Sequence, residues 1–329
     1  MNSIRLFLAL AFLLPAVAVS ACGDSSGASA NKLSLVAYST PKEAYEEIVP
    51  AFARTPEGTG VEFSQSYGNS GDQARAVIAG LPADIAVLSL EPDISKLVKE
   101  HLVDADWNAT PTKGIVTRSV VALAVQPGNP KKITGWDDLV KPGIEVLTPN
   151  PFTSGGARWN VMAAYGAQIE GGASEAQAEA YLQELFRNVV VQDKSAREAL
   201  QTFAGGKGDV LISYENEAIT AQQKGEKLDY IVPDATILIE NPIAATTEAG
   251  AKARAFIAYA TSEPAQKIFA AKGYRSVIEA LVDKKTFPNP KNQFDITKFG
   301  GWDAVMKKFF DPKASVMQRI EQGLGVSTG

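Results

Sequence analysis

Cysteine and histidine are almost absent from this chain: of its 329 residues one is Cys, at position 22, and one is His, at position 101. A single thiol cannot close an internal disulfide, and no His/Cys cluster with metal-ligand spacing can be assembled from such a pair. His101 follows Lys99-Glu100 in a charged segment, the setting of a surface residue rather than of a general base. The sequence also lacks a Gly-x-Ser-x-Gly elbow, so a serine hydrolase would have neither its strained nucleophile turn nor its base. Runs of Lys and Arg are missing as well. With 32 basic against 37 acidic residues the formal charge is −5, which gives no electrostatic footprint for nucleic acid. These absences predict a protein that is not an enzyme, holds no metal or cofactor and has no nucleic-acid partner. What remains is 45% hydrophobic and 21% charged, without repeats or low-complexity tracts, and long enough for two globular domains.

The N-terminus indicates a destination. Arg5 precedes an apolar run from Leu6 to Val19, too short for a membrane-spanning helix of about 20 residues but of the length of a signal-peptide core. Val19-Ser20-Ala21-Cys22 resembles the lipobox of bacterial lipoproteins, which predicts cleavage of residues 1–21 and lipidation of Cys22; a simple cleaved signal with an incidental cysteine is the alternative. Both place the protein outside the cytoplasm. Residues 22–32 then read as a lipidated cysteine and flexible tether, since Gly23 to Asn31 (GDSSGASAN) is small and polar. The mature chain stays acidic on average, so an anion site would have to be a local feature.

Hydrophobic periodicity gives the organisation. Leu33–Ser39, Val61–Tyr67 and Ala83–Leu90 are short apolar or alternating runs separated by helical patterns, the signature of parallel βαβ units in an α/β fold. Val120–Val125 is a further strand, and the breaker cluster Gln126-Pro127-Gly128-Asn129-Pro130 suits a chain leaving one lobe for another. A second series follows: Ile144–Thr148, a helix from about Ala157, Val189–Gln192, and Asp209–Ser213 running into a helix at Glu215. Ile237–Ala244 reads as a return strand, with helices over 251–271 and a tail packing back on the first lobe. The prediction is two α/β lobes with a ligand cleft between them, lobe I from residues 33–120 and 240–329 and lobe II from 121–239, closing by hinge motion as periplasmic-type binding proteins do.

Four loops lie where a strand feeds a helix, at the strand ends where α/β proteins bind ligands. In Pro149-Asn150-Pro151-Phe152-Thr153-Ser154-Gly155-Gly156-Ala157-Arg158-Trp159 two prolines stop a strand and Ser-Gly-Gly opens a helix. A serine cap, close-approaching glycine amides and a helix N-terminus together outline an anion cradle; read alone, the segment is more readily a capped helix with a glycine turn. Ser66-Tyr67-Gly68-Asn69-Ser70-Gly71 offers the same hydroxyl and amide groups from the other lobe, joined by Asp193-Lys194-Ser195-Ala196-Arg197 and Tyr38-Ser39-Thr40-Pro41-Lys42. Arg158 and Arg197, each just inside a helix, read either as anion clamps or as groups that back the loops.

The Pro149 to Trp159 segment resembles the signature of the sulfate- and thiosulfate-binding proteins of bacterial ABC importers. Further resemblance lies in Gln65 to Gly71, Trp136-Asp137-Asp138-Leu139, Gly208 to Ala218 and Phe299-Gly300-Gly301-Trp302, across nearly the whole mature chain. It implies the two-lobed, type II periplasmic-binding-protein fold, a monomer that delivers sulfate or thiosulfate to ABC permease subunits, and a dehydrated anion held by neutral donors without cofactor. Residue by residue it implies hydroxyl donation by Ser70 and Ser154 and main-chain N–H donation by Gly155, Gly156 and Ala196. Thr40 stands where the family commonly has Asp, which would preserve a main-chain contact, and Tyr214 stands where it often has Trp. A phenol both donates and accepts, unlike an indole, so this position bears on selectivity. Sulfate at neutral pH offers only acceptors, whereas hydrogen phosphate would leave its own donor unpaired in a donor-only cleft, at about 1–3 kcal/mol. Asp72, Asp193 and Glu215 are the carboxylates near enough in sequence to serve as that acceptor, but as charges in first helical turns they are expected to cap helices or face solvent. Molybdate or phosphate binding, and less so an enzyme on the same fold, are the alternatives.

Overall fold

The computed structural model describes residues 31–326; the predicted signal peptide, Cys22 and nearly all of the tether lie outside the described residues. The chain opens with β1 (Lys32–Tyr38), α1 (Lys42–Phe52), β2 (Glu62–Gly68), α2 (Ser70–Ile78), β3 (Ile85–Val87) and α3 (Glu91–Lys99). β1 pairs in parallel with β2 on one side and β3 on the other, the pairing that alternating strands and helices require. Then come β4 (Ile115–Val125), β5 (Val146–Leu147), α4 (Gly155–Glu170), α5 (Glu175–Arg187), β6 (Val189–Val191), α6 (Ala196–Ala204), β7 (Val210–Tyr214), α7 (Glu215–Gln223) and β8 (Asp229–Ile231). Here β5 runs parallel to both β6 and β7. The chain ends with β9 (Ala235–Ala245), α8 (Ala251–Ala260), α9 (Glu263–Ala271), β10 (Asn292–Phe294), α10 (Gly301–Phe309) and α11 (Val316–Gly323).

The strand order β2-β1-β3-β9-β4-β7-β5-β6 contains two parallel halves joined by a long antiparallel pair, β4 and β9. Each of these strands changes partner along its length. Residues from Ile115 to Val120 of β4 pair with β9, while Val121–Val125 pair with β7; β9 turns from β4 to β3 at Ile243. The chain thus passes between halves inside a continuous strand, not at the Gln126–Pro130 turn, which closes the far end of β4. Sequence reading missed the first residues of β4 because Ile115 to Ser119 (IVTRS) mixes polar and apolar types where one strand serves both halves.

Core packing follows the same division. In the first half Phe52 of α1 meets Phe256 of α8 edge-on at 5.2 Å, and Tyr45 meets Phe269 of α9 at 5.6 Å, so α8 and α9 pack back on α1. The tail does not. Trp302 of α10 packs edge-on against Trp159 of α4 at 4.7 Å, Lys308 pairs with Glu175 and Glu179 of α5, and Glu321 of α11 accepts from Gln192 at 2.9 Å. Residues 292–326 therefore pack mainly on α4, α5 and β9, whereas the sequence reading grouped the whole span 240–329 with lobe I. The reason is α4: its residues from Gly155 to Ala167 are all buried, so it needs cover on the side away from the sheet, and the tail supplies it.

Candidate functional site

The loops at the C-terminal ends of β1, β2, β3, β5, β6 and β7 converge on one small cavity. Its walls are Tyr38, Ser39, Thr40, Gly68, Asn69, Ser70, Ser89, Ser154, Gly155, Gly156, Ser195, Ala196 and Tyr214, so all seven sequence-predicted ligand positions face a single space. No carboxylate, lysine, arginine or histidine is among these walls.

Helix starts shape the lobe II side. Ser154 caps α4 and its hydroxyl oxygen accepts from the Ala157 N–H at 3.4 Å, which leaves its proton for a ligand. Gly155 and Gly156 are the first residues of α4, so their N–H groups have no carbonyl one turn back to bond and lie at the positive end of the helix dipole. Gly155 also permits contact between the halves: a Cβ there would fall 2.9 Å from the Ser89 side chain and 3.1 Å from Leu90. A Cβ on Gly156 would find ordinary contacts of 3.5 Å or more. Ala196 begins α6, where Ser195 accepts from the Glu198 N–H at 3.1 Å and leaves the Ala196 N–H free for the cavity. Tyr214 ends β7 fully buried, and burial raises its phenol far above the ordinary value, so it stays protonated.

The lobe I side differs from expectation at Ser70. Its hydroxyl donates to the buried Asp93 at 2.6 Å and accepts from the Ser89 N–H at 2.9 Å, so the side chain already spends its proton within the protein. As the first residue of α2, Ser70 still offers a main-chain N–H. Thr40 directs its hydroxyl to Glu217 at 3.3 Å, across the cleft, while its carbonyl accepts from Arg197 at 3.3 Å. Ser89 is the residue that sequence reading missed. It lies 2.9 Å, hydroxyl to hydroxyl, from Tyr214, and its carbonyl accepts from Trp159 and Asn241, both at 3.0 Å. The signal was a hydroxyl next to the last residue of the apolar run Ala83–Leu90, at a parallel strand's C-terminal end.

Charges stand behind the walls. Arg197 forms a two-pronged bond with Glu43, at 2.7 and 2.6 Å, and Lys224 also reaches that carboxylate. Burial alone would raise the Glu43 carboxyl, but the hydrogen bonds from Arg197 and Lys224 outweigh it and hold the pKa at about 2. Arg158 is buried, donates to the Pro151 carbonyl at 2.9 Å and lies over the Phe310 ring, so it backs the loop instead of clamping an anion. None of the three carboxylates that could serve as an acceptor lines the cavity. Asp72 pairs with Arg75, Asp193 accepts from Thr202 at 3.1 Å, and Glu215 is locked to Arg275 at 2.7 and 3.0 Å. Glu217 and Asp93 come nearer, each separated from the cavity by a hydroxyl, and burial raises the Glu217 carboxyl. His101 is exposed, with φ of 59°.

Among the described residues no group of three or more His, Cys, Asp or Glu could hold a metal ion, and no helix is long and apolar enough to cross a membrane. The chemistry such walls can perform is the desolvated binding of a small acceptor-rich anion by fixed neutral donors. Comparison with known proteins agrees with that description. The family model of the bacterial extracellular solute-binding proteins matches residues 33–275. A sulfate-binding protein of Synechococcus elongatus is 42% identical over 93% of each chain, and a thiosulfate-binding protein of Pseudomonas aeruginosa is 33% identical over 86% of this chain and 90% of its own. Among solved structures, the sulfate-binding protein SubI from Mycobacterium tuberculosis superposes with a TM-score of 0.83 at 42% identity, covering 85% of this chain and 100% of that one. The chain belongs to the bacterial extracellular solute-binding proteins, and within them to the group of sulfate- and thiosulfate-binding proteins.

Proposed function

We propose that this protein binds sulfate, with thiosulfate as the near alternative, and presents it to the permease subunits of an ABC importer outside the cytoplasm. The observation that carries this reading is the cavity wall: amides and hydroxyls from both lobes around one small space, with every charged side chain held behind them. The N–H groups of Thr40, Ser70, Gly155, Gly156 and Ala196 and the hydroxyls of Ser154 and Tyr214 would share the ligand's oxygens. Hydrogen bonds to a charged partner contribute about 1.5–3 kcal/mol each before the costs of ordering, so this set supports micromolar or tighter binding. The same wall argues against an enzyme. It has no nucleophile beside a base, and the relatives named above are binding proteins.

Lobe I then comprises residues 33–120 and 240 to about 291, and lobe II comprises 121–239 with the tail. β4 and β9 act as the hinge, because a rotation about them leaves each half-sheet intact while opening the cavity. Cys22 would carry the lipid anchor and residues 23–31 the tether. Isothermal titration of anion-free protein with sulfate, thiosulfate and molybdate in chloride buffer tests the reading: one-to-one heat with sulfate or thiosulfate is expected. Silence with both would overturn it.

A further inference from the structure

Ser89 and Tyr214 meet where the lobes touch, one at the end of β3 and the other at the end of β7. Both are buried, and burial raises the Tyr214 phenol against the opposing hydrogen bonds with Ser89 and Asn241, so both oxygens keep their protons. Two hydroxyls own two protons, and their mutual bond uses one. If Ser89 donates, the Tyr214 proton is left for a ligand; if Tyr214 donates, it offers a ligand its oxygen instead. The reversal moves no heavy atom. The other hydrogen bonds at Ser89 use only its N–H and its carbonyl, to Ser70, Trp159 and Asn241, so none fixes the direction in which its hydroxyl points.

An indole at position 214 would offer a donor only.

We propose, resting on the anion-binding reading above, that the Ser89–Tyr214 hydroxyl pair lets this cavity take a tetrahedral dianion that carries one proton, the hydrogen phosphate or hydrogen arsenate class, besides proton-free sulfate. In a donor-only cleft the ligand's O–H would be desolvated without a partner; here it finds an oxygen.

The test is competitive titration of the full protein with sulfate and with inorganic phosphate in mildly alkaline buffer, where phosphate is the singly protonated dianion. The proposal expects saturable one-to-one phosphate binding that sulfate displaces. Tyr214→Trp, which removes the reversible hydroxyl, should shift the phosphate-to-sulfate affinity ratio toward sulfate by about tenfold or more, since each 1.4 kcal/mol of an unpaired donor is tenfold. Ser89→Ala, which frees the phenol without removing it, should shift that ratio less. Tight sulfate binding with no phosphate binding, or a ratio that Tyr214→Trp leaves unmoved, overturns this proposal while the sulfate reading stands. Failure of sulfate itself to bind overturns the reading beneath it.

Discussion

The two half-sites reach the same cavity by different physics. Lobe II approaches with two capped helix starts, α4 and α6, whose serines take hydrogen bonds from their own helices and so keep their amides and hydroxyl protons directed outward. Lobe I approaches with groups already engaged: Ser70 gives its proton to Asp93, Thr40 gives its hydroxyl to Glu217, and Ser89 is held by contacts from Ser70, Trp159, Asn241 and Tyr214. A prepared donor surface thus faces one whose side chains connect the lobes. The difference shows that residue type alone does not reveal which way a hydroxyl gives its proton.

The sharpest break in that comparison is at Gly155, where the halves touch. Gly155→Val puts branched carbon where even a Cβ would lie 2.9 Å from Ser89, so closure fails and sulfate affinity should fall on the order of 100-fold or more by titration. Ser154→Ala removes the α4 cap and a free proton together, and the expected loss is about 10- to 100-fold. Glu43→Gln weakens the clasp with Arg197 and Lys224 that joins the β1–α1 loop to lobe II, with a loss of about three- to fivefold, because partly exposed ion pairs are worth about 1 kcal/mol or less. Ser70→Ala should change affinity least, by about threefold or less, yet lower the melting temperature, since the buried Ser89 N–H and Asp93 each lose a partner. If Ser70→Ala instead matched Ser154→Ala in affinity, the contrast between the half-sites would collapse.

The Glu43 clasp also has a pH signature. Its carboxyl sits at about 2 instead of the ordinary 4.5, so its stabilisation is complete above about 4.5 and is lost as pH falls toward about 2. The difference in melting temperature between the native protein and Glu43→Gln should therefore shrink across that window; a difference independent of pH would show that the clasp carries no stability.

Much of this was legible in the sequence. Short apolar or alternating runs placed the parallel strands to within a few residues, because the inner strands β1, β3, β5 and β7 are buried on both faces and leave a simple composition. The Ser154-Gly155-Gly156 step announced itself because cap and glycine chemistry is local. The misses were non-local. The start of β4 was hidden because a strand shared by both halves shows neither half's pattern, and the tail's packing depends on a helix, α4, buried all round. Ser89 was passed over because its place at a strand end says little by itself, and its part in the site comes from Tyr214, Trp159 and Gly155, residues far along the chain that only the closed fold brings to it.

The central claim is that neutral donors from both lobes hold one proton-free tetrahedral anion between the Thr40, Ser70, Gly155 and Ala196 loops. A crystal grown with selenate tests it directly, since the selenium can be located by its anomalous scattering. The account predicts one selenium in this cavity, its oxygens within hydrogen-bond distance, about 2.7–3.2 Å, of the Gly155, Gly156 and Ala196 nitrogens and the Ser154 hydroxyl. A fully occupied selenate elsewhere with this cavity filled by water, or one contacted by a single lobe only, would contradict it.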